Sequence, residues 1–220
     1  MRSGRTLLNL AQELERQLDT KKDLVVSSPL VRHSTSEGGG TTLVVEEASG
    51  PAAYGVTPLA RRQLADKLNI PYAYFERMRE NQPALLDRNV NTWLQRDEDR
   101  RMLRTLDGQV RAVLSDRYRR LDNLELCAAV LPIIKDMKGA DIESCEVTDA
   151  HMYLKVVNRK LKAEVGVGDV VQAGFCISNS EVGLGSLKVE PLIFRLVCKN
   201  GLILKDYSQK RYHVGRQVNV

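Results

Sequence analysis

No uninterrupted apolar run in the 220 residues approaches the roughly 18 needed to cross a bilayer as a helix. That excludes a membrane-spanning helix and predicts no membrane partner. The N-terminus lacks the basic-then-apolar profile of a secretory signal, so Met1 to Leu18 is expected to belong to the mature protein. Cysteine is sparse: Cys127, Cys145, Cys176 and Cys198 stand too far apart for a zinc knuckle. In apolar surroundings they read as small core residues rather than ligands or disulfides, and a cytoplasmic setting follows, in a bacterial cell or an infected host cell. Histidine is sparser still, and His33, His151 and His213 have no neighbour at metal-ligand spacing. The glycines of "GVGDV" and "GLGS" do not complete a phosphate-binding loop that leads into a helix. No metal site, no organic cofactor and no catalytic residue is therefore assigned. Internal repeats and low-complexity segments are also missing.

What the chain does have is enough apolar material for a core, with 43% hydrophobic and 28% charged residues, and a formal net charge of +5. The sequence pI of about 9.0 is compatible with a polyanionic partner, although the distribution of charge matters more than its total. "TLLNLAQELERQL" places Leu7, Ala11, Leu14 and Leu18 at helical spacing, a face for the core or for a second subunit in a homo-oligomer. "LVVSSPLV" and "TTLVVEEA" read as strands separated by a mobile loop around Gly38-Gly39-Gly40. A helical subregion over 57–94 follows. Thr57-Pro58 is a cap-and-first-turn signature, Asn69 closes the first helix, and Pro71 opens the next. "RMLRTLDGQVRAVLS" is a hairpin, since Asp107-Gly108 suits a type I′ turn whose two central residues both take positive φ. "DNLELCAAVLPIIKDM" is helical, with Pro132 marking a kink or a break between two helices. Residues 147–205 are mainly strand. This order predicts one α+β domain over 1–220, with an antiparallel or mixed sheet, packed helices, a central helical segment and a largely β C-terminal half.

The hairpin carries the sharpest functional expectation. With Asp107 and Gly108 as the turn, Leu106 faces Gln109, Thr105 faces Val110 and Arg104 faces Arg111. Leu103, Thr105, Val110, Ala112 and Leu114 then share a core face. Like charges directly opposite each other destabilise a ribbon, and an anionic partner turns that cost into attraction. Neutralisation by Asp97, Glu98 or Asp99 is the plainer alternative. Immediately downstream, Arg117, Tyr118, Arg119 and Arg120 interleave guanidinium groups with a ring, as single-stranded nucleic acid favours. The competing account is a solvated helix start with Tyr118 packed inward. A second basic group closes the chain, with Arg195, Lys199, Lys210, Arg211 and His213 as candidate contacts. Ser178-Asn179-Ser180-Glu181 interrupts the last long strands. It reads as a turn whose Asn179 and Ser180 also offer an amide and a hydroxyl to a phosphate or base edge. "RRQLADKLNIPYAYFERMRE" approximates a helix-turn-helix through Ala65, Asn69, Phe75 and Met78, with Tyr72, Tyr74, Arg77 and Arg79 on its second helix.

"VTPLARRQLADKLNIPYAYFERM", "VRAVLSDRYRRLDN", "NSEVGLGSLKVEPLIFRLVCKNGL" and "RYHVG" resemble, in order, the signatures of the phage/plasmid-like family, an uncharacterised domain-of-unknown-function group of mobile elements. The resemblance runs from about Thr57 to Gly215. It implies a phage, prophage or plasmid setting, and a short or truncated member, because relatives often continue past the last motif. The expectation is a protein that binds or anneals single-stranded DNA without chemistry. The alternatives are a sequence-specific duplex binder acting through the helix-turn-helix-like segment, a protein-binding module, or an enzyme acting on nucleotides.

Overall fold

A computed structural model describes residues 6–166, 169–195, 202–203 and 209–211. Where the sequence predicts one domain, the chain divides into two compact units: Gln17–Tyr118, and Met1–Arg16 together with Arg119–Val220. The first helix, α1 (Leu7–Thr20), runs through the division. Its buried residues are Leu10, Leu14 and Gln17, whereas Leu7 and Leu18 are exposed. The apolar stripe is therefore rotated from the predicted one, with only Leu14 in common.

The Gln17–Tyr118 unit contains β1 (Lys22–Ser27), a 3-10 turn at Ser28–Leu30, β2 (Val31–Thr35), β3 (Thr41–Glu47) and β4 (Gly50–Val56). These are followed by α2 (Pro58–Lys67), α3 (Tyr72–Asn81), α4 (Pro83–Arg96), β5 (Arg100–Leu106) and β6 (Gln109–Ser115). Its six strands lie in the order β1-β5-β6-β4-β3-β2. β4 runs parallel to β6, and the other neighbours are antiparallel. "LVVSSPLV" is thus two strands, not one. Pro29 sits in the 3-10 turn that separates β1 from β2, and the two strands end on opposite edges of the sheet.

Local signals place the helices. Thr57 Oγ1 accepts the Ala60 N–H at 3.3 Å, Pro58 fills the first turn, and Asn69 takes φ 54°, the left-handed conformation that ends α2. Phe75 and Met78 from α3 and Leu86, Val90 and Leu94 from α4 meet Leu43, Val45 and Leu103 of the sheet in one apolar cluster. The glycine turn at 38–40 is pinned rather than mobile: Arg79 donates from Nη1 to Gly39 O at 2.7 Å, and Gly39 N–H donates to Ser36 O at 2.8 Å.

Edge strand β2 is closed off by α4. The His33 N–H donates to Asn91 Oδ1 at 2.8 Å, Asn91 Nδ2 returns a bond to His33 O at 2.9 Å, and the Thr35 N–H donates to Asp87 Oδ2 at 2.9 Å. Gln95 Nε2 adds a bond to Pro29 O at 3.0 Å. Asp87, Asn91 and Gln95 recur every fourth residue, so one polar stripe of the helix takes the place of a further strand.

The second unit carries the start of α1, then α5 (Asn123–Asp136), β7 (Ala140–Val147), β8 (Met152–Gly166), β9 (Asp169–Asn179), β10 (Leu187–Arg195), β11 (Leu202–Ile203) and β12 (Gln209–Arg211). The order is β11-β10-β9-β8-β7, with β12 also on β10, and every pairing is antiparallel. Leu10, Leu14, Leu126 and Ile134 from the helices bury against Cys145, Met152, Leu154, Val156 and Ile177. Pro132 lies inside one continuous α5 rather than between two helices. Its missing N–H orphans the Ala128 carbonyl, and both residues are exposed, so that carbonyl faces solvent. Two sheets with packed helices make the protein α+β, as predicted. Among the described residues no helix is long and apolar enough to cross a membrane.

Candidate functional site

The hairpin turn forms as expected, with φ 51° at Asp107 and 73° at Gly108, and Leu106 and Thr105 face Gln109 and Val110. One residue further the register shifts: Arg104 lies opposite Ala112, and Arg111 is the extra residue of a bulge. That single insertion moves Ala112 and Leu114 to the face of Met102 and Arg104, away from Leu103, Thr105 and Val110. The expected Arg104–Arg111 pair does not exist. Arg104 is 0% exposed and sits directly across from Asp23 of β1. It donates from Nε to Asp23 Oδ1 at 2.7 Å and from Nη2 to Oδ2 at 3.1 Å. This is the bidentate fork-to-carboxylate geometry. Arg104 is therefore withdrawn from the surface as a phosphate contact, and its neutraliser is Asp23, not Asp97, Glu98 or Asp99. Asp97 instead accepts from Ser28 Oγ and Arg101. Arg111 is half-buried.

Arg117, Tyr118, Arg119 and Arg120 lie in a turn and an irregular segment, not at a helix start, since α5 begins only at Asn123. Arg117, Arg119 and Arg120 are exposed and Tyr118 is half-buried. Arg117 and Tyr118 end one compact unit and Arg119 and Arg120 begin the other in the chain.

The Ser178–Glu181 cluster is only in part the expected turn: Ser178 and Asn179 are the last residues of β9, the turn begins after them, and all four are buried. Asn179 and Ser180 are each 0% exposed, so neither presents its polar group to a phosphate or base edge. Asn179 Nδ2 donates to Leu121 O and to Asn123 Oδ1, both at 2.9 Å. Ser180 Oγ accepts the Leu184 N–H at 3.1 Å. Glu181 Oε1 accepts the Asn123 N–H at 2.6 Å, placing a carboxylate at the N-terminus of α5, where Asp122 forms no side-chain cap. The hydrophilic interruption between strands is the socket for a helix start. Gly183, at φ 76°, supplies the left-handed step in the turn.

Of the C-terminal candidates, Lys199 and His213 lie outside the described residues. Arg195 ends β10, and Lys210 and Arg211 lie in β12. Backbone register sets Lys210 opposite Lys188 and Arg211 opposite Leu187. In the helix-turn-helix-like segment, Tyr74 and Arg77 are exposed, while Tyr72 stacks on Phe75 and lies under the Arg62 guanidinium. Arg79 is committed to Glu76, Glu80 and Gly39 O. Burial pushes the Glu76 carboxyl up, but hydrogen bonds and charge from Arg61 and Arg79 outweigh it and hold it below its ordinary value.

His33 does have a partner, 54 residues away: Nδ1 lies 2.8 Å from Asp87 Oδ1. Its Nε2 is buried without a hydrogen bond among the described residues, and the ring meets Phe75 edge-on at 5.6 Å. Burial lowers its pKa, with Asp87 opposing and Arg61 assisting. Cys127, Cys145 and Cys176 are buried free thiols, as expected for core residues. Burial, with Cys145 nearby, pushes the Cys127 thiol up to about 11. Cys198 lies outside the described residues. No group of three or more His, Cys, Asp or Glu suited to a metal occurs among the described residues.

Two basic features escape the sequence reasoning. Lys160 and Lys162 are exposed on β8, in "RKLK", whose charges look like ordinary surface charge until β8 is seen to run on past the end of β7. On α4, Arg88 and Arg96 are exposed beside the half-exposed Trp93, a grouping that a helical projection of "PALLDRNVNTWLQR" displays.

Residues 110–216 match the family model of a domain of unknown function (DUF932). The match takes in the motifs at "VRAVLSDRYRRLDN", "NSEVGLGSLKVEPLIFRLVCKNGL" and "RYHVG", and begins after "VTPLARRQLADKLNIPYAYFERM". No curated protein and no solved structure matches the chain.

Proposed function

We propose that the protein binds single-stranded nucleic acid, without converting it, in the phage or plasmid setting that the resemblance implies. The observation that carries the proposal is the exposure of Arg117, Arg119 and Arg120, with Tyr118 among them, in a turn and irregular backbone. Arginine pairs with phosphate oxygens through its planar fork, and an adjoining ring suits the face of an unpaired base. Net charge of +5 favours encounter with a polyanion. Arg104, Asn179 and Ser180 take no part.

The test is fluorescence anisotropy with a labelled oligothymidylate over a series of salt concentrations. Each phosphate contact contributes a log-log slope of roughly −0.7 on a single strand. Exchange of Arg117, Arg119 and Arg120 for Gln reduces the slope by about 2 if all three bind phosphate. Salt-insensitive binding, or none at low salt, overturns the proposal. A duplex competitor of random sequence separates it from a second reading, in which the left-handed Asn69 turn and the exposed Tyr74 and Arg77 of α3 enter a major groove. That reading requires a preference for duplex.

A further inference from the structure

We propose that the outward face of α4 is a stacking platform for single-stranded nucleic acid, with Trp93 meeting a base and Arg88 and Arg96 meeting phosphates; this rests on the nucleic-acid-binding proposal above. Two of the helix's three faces have evident work. Leu86, Val90 and Leu94 enter the core, and Asp87, Asn91 and Gln95 bond to β2 and to Pro29 O. The third face carries Leu85, Arg88, Thr92, Trp93 and Arg96, all exposed. Trp93 is the sole tryptophan of the chain, and it stands 47% exposed, with Leu85 also exposed on this helix.

The charge on this face is not balanced locally. Neither Arg88 nor Arg96 forms an ion pair among the described residues. The flanking acids are turned to other tasks: Asp87 accepts from Thr35 and meets His33, and Asp97 accepts from Ser28 and Arg101. Beyond the helix Glu98 is exposed, and Asp99 already pairs with Arg101. The C-terminal helix dipole accounts for a cation at Arg96 but not for Arg88 or for the ring. Arg88 and Arg96 lie about 12 Å apart along the axis; Trp93 is one turn from Arg96, and Arg88 stands at the opposite border of the exposed face, about 140° round the helix from the ring. The hydrogen bonds that fix α4 to β2 and to Pro29 O hold the ring and both guanidinium groups on a rigid support, which lowers the ordering cost of binding. A ring with one guanidinium group beside it and a second at the far border of the same face suits a strand that crosses the helix, because every base offers a π-face and every step a negative charge. An acidic protein segment would satisfy the arginines, and the test below distinguishes it.

Because Trp93 is the only indole, its fluorescence reports on this face alone. Unlabelled oligothymidylate is expected to quench it saturably, with the dissociation constant that anisotropy gives. Trp93→Ala should weaken binding about 5- to 150-fold, the range of a single base–aromatic stack, and Trp93→Phe should recover part of the loss. Arg88→Gln with Arg96→Gln should reduce the salt slope by about 1.4. Circular dichroism of each variant confirms the fold. Anisotropy showing binding, with Trp93 emission unchanged and Trp93→Ala at full affinity, overturns the platform and leaves the nucleic-acid-binding proposal standing. Absence of oligonucleotide binding overturns both. Quenching by polyglutamate but not by oligothymidylate overturns the platform in favour of an acidic protein partner.

Discussion

Replacing Arg104 gives the clearest separation between a structural and a functional arginine. Arg104→Met keeps the length of the side chain but removes the guanidinium from a fully buried, doubly hydrogen-bonded pair, leaving Asp23, itself only 8% exposed at its side chain. Breaking a buried pair from one side costs about 3–5 kcal/mol, because a charge stays behind without its partner. Each kcal/mol lowers the thermal midpoint by about 2–4 °C in a chain of this size, so the fall is roughly 6–20 °C. Removing both charges, as Asp23→Leu with Arg104→Met, should bring stability back to within about 1 kcal/mol of the parent or above it, since well-packed apolar groups replace buried ion pairs without loss. The assay is urea unfolding followed by Trp93 emission, the indole lying in the same compact unit, with the four proteins forming a double-mutant cycle. At a temperature where all four are folded, affinity for oligothymidylate should be unchanged. A cost below about 1 kcal/mol for Arg104→Met, together with a loss of binding, would show that the guanidinium serves a ligand and that the pair with Asp23 is incidental.

Glu181→Ala removes the acceptor for the Asn123 N–H and should cost about 1–3 kcal/mol, with amide exchange accelerated first in the opening turn of α5; Glu181→Gln keeps an acceptor and should cost less. An unchanged exchange pattern in Glu181→Ala would mean that α5 does not depend on this carboxylate. His33 has a folded pKa below its ordinary 6.5, so the unfolded chain takes up a proton first as pH falls. Its contribution is present in full above pH 6.5 and is lost progressively below it, down to the folded pKa, at no more than about 1.4 kcal/mol per pH unit. Stability measured by urea titration from pH 7.5 to 5 should show this slope, and His33→Gln should flatten it; an equal slope in the variant would assign the effect to other groups.

Local chemistry in the sequence was legible wherever a backbone conformation depends on a few adjacent residues. Thr57-Pro58, Asn69 and Asp107-Gly108 each act through their own φ or their own side chain, and each stands where its chemistry requires. Partners far apart in the chain were not legible. "LVVSSPLV" has the composition of a single strand, but its halves pair with β5 and with β3, and only those pairings show that Ser28-Pro29 separates two edges. The same limit applies to Ser178–Glu181, where a chain reversal was evident but neither the continuation of β9 through Asn179 nor the burial of the cluster was. Asn123, the residue that needs Glu181, lies 58 positions upstream.

The hairpin shows why the candidate site divided as it did. Counting charges near Arg104 in sequence finds Arg111 and the acids at 97–99, whereas the residue that matters is set by lateral strand order, and Asp23 is 81 positions away. An arginine flanked by Leu103 and Thr105 in a strand bordered on both sides has its environment fixed by the neighbouring strands, and such a charge survives burial only with a carboxylate opposite. Arg117, Arg119 and Arg120 have no ladder to impose a partner on them, because the backbone there pairs with neither sheet. Arg88 and Arg96 lie on a helix whose carboxylate is spent on the edge strand, which orients the acid inward and leaves the cations outward. The physical distinction is therefore between cations placed opposite a carboxylate by strand pairing and cations in backbone that pairs with no strand. Strand pairing fixes the partner of the first kind, as Asp23 for Arg104, and leaves that of the second to be set by side chains or by a ligand.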